Sequence, residues 1–302
     1  MSPVYKVSGG GNDFLALAAP EREPSADEIR SWCARGLSFG ADGLFTLQRV
    51  AAVPPAGAAP PPSSAPLPAD ADLPGDVRMR YWNADGLPAA LCINGTRCAA
   101  RLALHLGWAK DRFRITTDAG TFAARAVAPT EIALQLPAPE NVPRRRILEV
   151  AGRAHEGWFV TVGVPHFVLV WPESLANAPV AELGGALRAH PEFAPGGTNV
   201  DFVRFPTSNR MEIRSFERGV EAETLACGTG VLAATAVGLL LNLARLPLSA
   251  STLGGFTLTV DGQTVDSALR NWSLAGDARI LGSVELTPEA GLPPPPAPRW
   301  SA

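Results

Sequence analysis

The sequence predicts an α+β protein of two similar halves, each a mostly antiparallel β-sheet with one central helix. Short β-type runs separated by turn residues dominate the chain. Two helical runs stand out, over residues 92–106 and 227–243. Both begin with Cys-x-x-Gly, as CING at Cys92 and CGTG at Cys227, which indicates an internal duplication.

The strands are predicted in chain order from these runs. Residues 43–50 and 77–82 flank a segment rich in Pro and Ala, residues 51–76, which is predicted to be a disordered insert in a long hairpin loop. Further strand-like runs follow: RFRITTD, TEIALQLP, GWFVTVGV, HFVLVW, VDFVRF and RMEIRSF. The Pro-rich tail, residues 289–302, is also predicted to be disordered.

Composition restricts the class of protein. The chain has 302 residues, 46% of them hydrophobic, which is ample for a packed core. The net charge is -3 and no segment concentrates Lys or Arg, so we expect neither nucleic acid nor a membrane as partner, but a small soluble molecule. The longest apolar run, residues 230–244, is shorter than the roughly 20 residues that span a bilayer. The N-terminus resembles no export signal, which favours a cytoplasmic location.

The four cysteines are expected to be thiols, since disulfides are rare in the cytoplasm. No Cys-x-x-Cys pair occurs and no histidine lies at zinc-ligand spacing from a cysteine, so no metal site is expected. Cys33 and Cys98 are interpreted as small core residues. Cys92 and Cys227 differ because each is predicted at a helix N-terminus.

A cysteine at a helix N-terminus lies beside free backbone N–H groups and the positive end of the helix dipole, which both favour the thiolate. The same N–H groups, at Asn94 and Gly95 and at Gly228 and Thr229, can bind a carboxylate. Two such cysteines on opposite faces of one carbon atom would form a two-base racemase, in which a thiolate removes the α-proton and a thiol returns one.

That scheme requires no cofactor. Helix-end donors around the carboxylate would stabilise the carbanion-like transition state electrostatically. Pyridoxal phosphate would require a Schiff-base lysine, and the only lysines, Lys6 and Lys110, lie in no such context.

The order of several motifs resembles that of diaminopimelate epimerases over residues 4–286, apart from the insert. The motifs are GGGNDF, FGADGL, MRYWNADG, CINGTRC, GVPHFV, TNVDFV and FERGVEAETLACGTG. The resemblance implies two similar domains, each a curled antiparallel sheet or barrel around a central helix, with the active site in the cleft between them. It implies an N-terminal domain of residues 1–136 plus 272–288, because the last strand returns to it, and a C-terminal domain of residues 137–271.

The resemblance also implies an activity and roles for residues. The activity is conversion of LL- to meso-diaminopimelate, in the synthesis of lysine and peptidoglycan precursors, by a homodimer. Cys92 and Cys227 match the acid/base pair, and His166 and Glu217 match positions that tune the thiol pKa values. The positions that match substrate-binding residues are as follows: Asn12, Asn83, Ile93, Asn94, Gly95, Asn199, Glu217, Arg218, Gly228 and Thr229.

Two departures from the family pattern affect the substrate site. Ile93 replaces a glycine and narrows the space beside Cys92. Val164 replaces an asparagine, so an amide that would help to bind the distal group is lost. A third difference, Gly43 in place of the Gln of some relatives, is common in the family.

Alternatives remain open at this point. A related racemase could act on another amino acid, or the two cysteines could form a reversible disulfide in a redox or scaffold protein. His166 could be structural or could tune a thiol pKa. Asn12 and Asn83 lie in good turn sequences and could be turn residues, substrate ligands or both.

Overall fold

The computed structural model describes residues 3–50, 76–265 and 268–292. By its contacts the chain divides into two compact units: unit 1 comprises Met1–Ile132 with Ala278–Ala302, and unit 2 comprises Ala133–Asp277. The Pro-rich insert lies outside the described residues except for Asp76, and so does the tail from residue 293 onward.

Unit 1 begins with seven strands and two helices. The strands are β1 Val4–Gly9, β2 Asn12–Ala18, β3 Gly43–Arg49, β4 Asp76–Asn83, β5 Pro88–Ala89, β6 Arg112–Thr117 and β7 Gly120–Ala128. The helices are α1 Ala26–Cys33 and α2 Ile93–His105. Strand β8, Glu131–Gln135, carries the chain from unit 1 into unit 2.

Unit 2 repeats this arrangement. Its strands are β9 Arg144–Val150, β10 Arg153–Val162, β11 Val164–Val170, β12 Asn199–Thr207, β13 Arg210–Glu217, β14 Ala222–Thr224, β15 Leu248–Thr252, β16 Thr257–Val265 and β17 Ala268–Asp277. Its helices are α3 Val180–Arg188 and α4 Gly228–Leu240, with short 3₁₀ helices at Leu175–Asn177 and Pro191–Phe193. The chain then returns to unit 1 as β18, Arg279–Val284, which ends near a 3₁₀ helix, Pro288–Gly291.

The strand pairings confirm the internal duplication that the two Cys-x-x-Gly segments indicate. In unit 1, β1 pairs with β2 antiparallel, β2 with β3 parallel, β3 with β4 antiparallel, β4 with β6 parallel and β6 with β7 antiparallel. In unit 2 the same sequence of pairings runs through β10, β11, β12, β13, β15 and β16. The sheets are therefore mostly antiparallel. Each unit has two parallel strand pairs at equivalent positions, and the chain that connects the strands of each parallel pair contains one of the helices.

The two helices that the sequence predicts are the central helices. Ten of the 13 residues of α2 are buried, and the helix packs against β1, β2, β3, β4, β7 and β18. Helix α4 is equally buried and packs against β10, β11, β12 and β16. A helix that is covered on all sides in this way is the core of its unit.

The ends of α4 and the number of helices differ from the prediction. Helix α4 ends at Leu240 rather than Leu243, because Asn242 adopts a left-handed backbone conformation with φ 57°. Helices α1 and α3 are not among the predicted elements. For α1 a signal is present, since Ser25 and Glu28 form a capping box at its N-terminus.

The hairpin on either side of the insert is confirmed at its ends, because β3 and β4 pair antiparallel from Gly43 with Asn83 to Arg49 with Val77. The return of the last strand is confirmed as well, since β18 pairs with β1.

The division by contacts falls at residues 132/133 and 277/278, a few residues from the expected boundaries at 136 and 272. Leu136 belongs to unit 2, where its N–H donates to the carbonyl of Trp272 on β17 at 2.7 Å, and a boundary at 272 would cut β17. The start of the tail also differs from the prediction. The helix Pro288–Gly291 packs against α1, and Ser38 Oγ donates to the Ala290 carbonyl at 3.4 Å.

Candidate active site

In unit 1 the sequence-predicted residues gather at the N-terminus of α2. Cys92 is the N-cap, and its Sγ accepts a hydrogen bond from the Gly95 N–H at 3.4 Å. A Cβ added to Gly95 would lie 3.5 Å from that sulfur, at ordinary contact distance, so this helix position lies directly beside the thiol. Ile93, the first helical residue, is buried. The Cys92 side chain therefore occupies the N-terminal anion position of a buried helix.

The turn between β1 and β2 lies against the same helix end. Gly10 and Gly11 adopt φ values of 62° and 93°, which favour glycine. A Cβ at Gly10 would come within 3.0 Å of the Arg97 guanidinium and 3.2 Å of Asn94 Oδ1. The GGGN segment is thus a hairpin tip packed on α2.

A chain of hydrogen bonds fixes the side chains of Asn94 and Asn12. Arg97 donates to Asn94 Oδ1 at 2.6 Å, and Asn94 Nδ2 donates to Asn12 Oδ1 at 2.7 Å. Asn12 Nδ2 donates in turn to Asp42 at 3.0 Å, and Asp42 also pairs with Arg35 at 2.7 Å. Asn94 is 4% exposed, so this chain is preorganised within unit 1.

Asn83 is not part of this chain. It is the last residue of β4 and is exposed, and its backbone closes a turn with Gly86 and Leu87. Tyr81, two residues earlier, is buried close to Cys92. Burial, followed by the charge of a Cys92 thiolate, raises the pKa of its hydroxyl.

In unit 2 the predicted residues gather at the N-terminus of α4. Cys227 is the N-cap and is 5% exposed, and its Sγ lies 3.5 Å from Thr229 Oγ1. Burial raises the pKa of this thiol well above its usual value, and the nearby carboxylates of Glu217 and Asp201 raise it further. Burial and these carboxylates therefore disfavour the Cys227 thiolate, although the Gly230 N–H acts on its pKa in the opposite direction, as the Gly95 N–H does at Cys92.

Glu217 lies beside Cys227 at the end of β13. Burial raises its pKa, while hydrogen bonds from Thr224 and Cys227 act in the opposite direction. Its carboxylate accepts the Thr224 hydroxyl. Arg218, the next residue, donates its backbone N–H to Asn199 Oδ1 at 2.8 Å, and its guanidinium donates to the Gly196 carbonyl at 3.3 Å.

His166 is fully buried on β11, next to Asn199 on β12. Its Nδ1 lies 2.7 Å from Asp201 Oδ2, and Ser215 donates to the other oxygen of Asp201 at 2.6 Å. Sequence reasoning missed Asp201 and Ser215. The available signal was a single carboxylate in the apolar run TNVDFV, two residues after Asn199 and so on the same sheet face.

The remaining predictions concern single residues. Cys33, the last residue of α1, is 4% exposed in the core of unit 1, where burial raises its pKa to about 12, and Cys98 is fully buried on α2. Both are core thiols, as predicted. Val164 is the first residue of β11 and is partly buried.

Among the described residues, no three His, Cys, Asp or Glu side chains are grouped as they would be to hold a metal ion. In that same part of the chain, every helix is too short or too polar to span a bilayer.

Comparison with solved structures shows the fold. A probable proline racemase from Agrobacterium radiobacter K84 superposes with a TM-score of 0.64 at 15% identity, over 96% of each chain. A hydroxyproline epimerase from Agrobacterium vitis superposes with a TM-score of 0.60 at 14% identity, over 96% of this chain and 94% of that chain. The protein thus has the same fold as these two structures.

Comparison of sequences shows the family. The family model for diaminopimelate epimerase matches residues 4–135 and 158–270. Diaminopimelate epimerase from Aquifex aeolicus is 35% identical over 269 residues, which is 85% of this chain and 88% of that protein. The enzyme of that name from Methanothrix thermoacetophila is 34% identical over 266 residues, which is 83% of this chain and 85% of that protein. The chain therefore belongs to the diaminopimelate epimerase family.

Proposed function

We propose that the protein is an isomerase that converts LL- to meso-diaminopimelate without a cofactor, with Cys92 and Cys227 as its acid/base pair. The observation that carries this proposal is the duplication: each unit places a cysteine as N-cap of its buried central helix, at the same point of the same topology. Membership of the diaminopimelate epimerase family supports the choice of substrate.

The surroundings of the two cysteines support different roles in the forward reaction, one as base and one as acid. The Cys92 thiolate, stabilised by the Gly95 N–H and the α2 dipole, would remove the α-proton. The Cys227 thiol, kept protonated by burial and by Glu217, would donate a proton to the opposite face of the same carbon. The reverse reaction exchanges these roles, so the mechanism requires both thiols to reach one α-carbon.

Backbone N–H groups would hold the substrate carboxylate and stabilise the developing negative charge. The first turns of α2 and α4 supply them, at Asn94 and Gly95 and at Gly228 and Thr229. Asn12, Asn83, Ile93, Asn199, Glu217 and Arg218 are proposed to complete the substrate site, with His166 and Glu217 tuning the thiols. The Arg218 guanidinium suits the distal carboxylate. We also propose a cytoplasmic homodimer.

The test is incubation of the reduced protein with LL-diaminopimelate in deuterated water, without pyridoxal phosphate or added metal. We expect meso-diaminopimelate with deuterium at one α-carbon. Cys92→Ala and Cys227→Ala should each abolish turnover because each thiol serves one face, while Cys33→Ala, which removes a core thiol, should retain it. Full turnover in either active-site variant would contradict the two-base mechanism.

A racemase for another amino acid is the second candidate, and Val164 is the observation that favours it, because this side chain cannot bind a distal polar group. Histidine, lysine, ornithine and glutamate in the same assay decide between the two. A higher kcat/KM for one of them than for diaminopimelate would change the assigned substrate. Absence of α-proton exchange with every amino acid would favour a redox or scaffold protein.

A further inference from the structure

Asp201 and Ser215, which the proposed mechanism does not use, form a buried polar row with His166. Three neighbouring strands build the row: β11 carries His166, β12 carries Asp201, and β13 carries Ser215 directly opposite Asp201 in the antiparallel ladder. His166 and Asp201 are fully buried, and Ser215 is 4% exposed. A carboxylate that is removed from water in this way must be satisfied by hydrogen bonds, and both of its oxygens are.

The first turn of α4 covers this carboxylate. A Cβ added to Gly230 would lie 2.4 Å from Asp201 Oδ1 and 3.2 Å from Ser215 Oγ, so only glycine fits there. Gly230 follows Cys227 by three residues in the same helix end. The row therefore packs directly against the turn that carries the proposed acid/base thiol.

The hydrogen bonds at the two ends of the His166 ring select the same tautomer. At one end, Asp201 Oδ2 is an acceptor 2.7 Å from Nδ1, which places a hydrogen on Nδ1. At the other end, Asn199 Oδ1 already accepts the Arg218 N–H, so the amide turns its Nδ2 donor toward His166 Nε2, at 3.5 Å. Because a donor faces Nε2, that nitrogen must act as an acceptor and carries no hydrogen, which again selects the Nδ1–H tautomer.

We propose that Asp201, held by Ser215, is a positioning residue that fixes His166 as the Nδ1–H tautomer, with Nε2 as a hydrogen-bond acceptor. This inference deepens the proposed function, on which its kinetic part rests. Asp201 acts through His166, and its carboxylate lies against the first turn of α4, which Cys227 caps. The arrangement gives unit 2 a buried imidazole whose proton has a defined position, on Nδ1 rather than Nε2.

The tautomer can be measured without any activity, by long-range ¹H–¹⁵N correlation spectra of the four histidine rings. A His166→Gln variant assigns the His166 signals. In the wild type we expect the neutral His166 ring to carry its proton on Nδ1 and none on Nε2. In Asp201→Asn, which keeps the size of the side chain but can present an N–H to the ring, we expect the Nε2–H form to appear. Asp261→Asn, which changes an exposed residue of β16 in the same unit, should leave the His166 signals unchanged.

Kinetics provide the second readout. Asp201→Asn should lower kcat about 100-fold with KM unchanged, since part of an acid/base contribution is lost and no substrate contact is removed. Ser215→Ala should change the tautomer and kcat in the same direction by less, and it keeps the test available if Asp201→Asn does not fold. An Nε2–H tautomer in the wild type, or ring signals that neither variant alters, would overturn the proposal. An inactive wild type with the expected tautomer change would instead count against the proposed function alone.

Discussion

At the scale of single residues, the two cysteines that the sequence pairs have different electrostatic surroundings. Cys92 is partly exposed, whereas Cys227 is 5% exposed and lies beside two carboxylates. The motif Cys-x-x-Gly predicts the shared helix-cap position. It does not predict the difference, because that depends on side chains from β12 and β13 that are distant in sequence.

Substitution of Glu217 tests the electrostatic part of this description. The Glu217 carboxylate raises the pKa of Cys227, since it disfavours a second negative charge nearby. Glu217→Gln should therefore lower the pKa of Cys227, so that the thiolate forms at lower pH. Titration of protein labelled with ¹³C at the cysteine Cβ atoms measures this, with Cys33 as the internal reference.

The matched control is Glu212→Gln, which changes a carboxylate on the same strand that pairs with Arg204 at 3.4 Å. This variant should leave the pKa of Cys227 unchanged. If Glu217→Gln also left it unchanged, or moved it to higher pH, the carboxylate would not be the cause of the raised pKa.

At the scale of elements, strands were predictable because apolar and polar residues alternate between turn residues. The run RFRITTD became β6 and RMEIRSF became most of β13, each with alternating burial. The short helices were missed, since α1 and α3 have eight and nine residues and their apolar periodicity covers few turns. The capping box of α1 was the more informative signal.

Glycine substitutions in two helices of unit 2 test how closely α4 packs. Gly230→Ala should destabilise the protein by about 1–3 kcal/mol, because the added Cβ would lie 2.4 Å from Asp201 Oδ1. Gly185→Ala in α3 is the matched control. Its Cβ would lie 3.5 Å from Phe216, an ordinary contact, so the higher helix propensity of Ala should leave stability equal or raised. Urea unfolding measures both variants, and equal midpoints would contradict the packing described for Gly230.

At the scale of the whole molecule, the chain crosses from unit 1 to unit 2 in β8 and returns between β17 and β18. Strand β18 pairs with β1 from Val4 with Val284 to Ser8 with Arg279, so the first and last strands of the chain form one ladder. Unit 1 is therefore completed only by the last part of the sequence.

Truncation tests this dependence. Removal of residues 278–302 deletes β18, and amide hydrogen exchange in β1 should accelerate about tenfold or more while β12 and β13 of unit 2 remain protected. Removal of residues 293–302 only, which lie beyond the last described residue, is the control and should change neither unit. If amides of β1 were as protected in the chain that lacks residues 278–302 as in the full chain, unit 1 would not need its last strand.

The sequence by itself determined the fold class, the duplication, the two central helices and the two helix-capping cysteines, because these depend on local pattern and on motifs within short segments. Only the tertiary structure decided which residues meet at each helix end. The register of three strands brings Asp201 and Ser215 to His166. Asp42 contacts Asn12 although the two residues are 30 positions apart in the sequence. Register and burial set these contacts and the thiol pKa shifts that follow from them, and both are properties of the packed units rather than of any one segment.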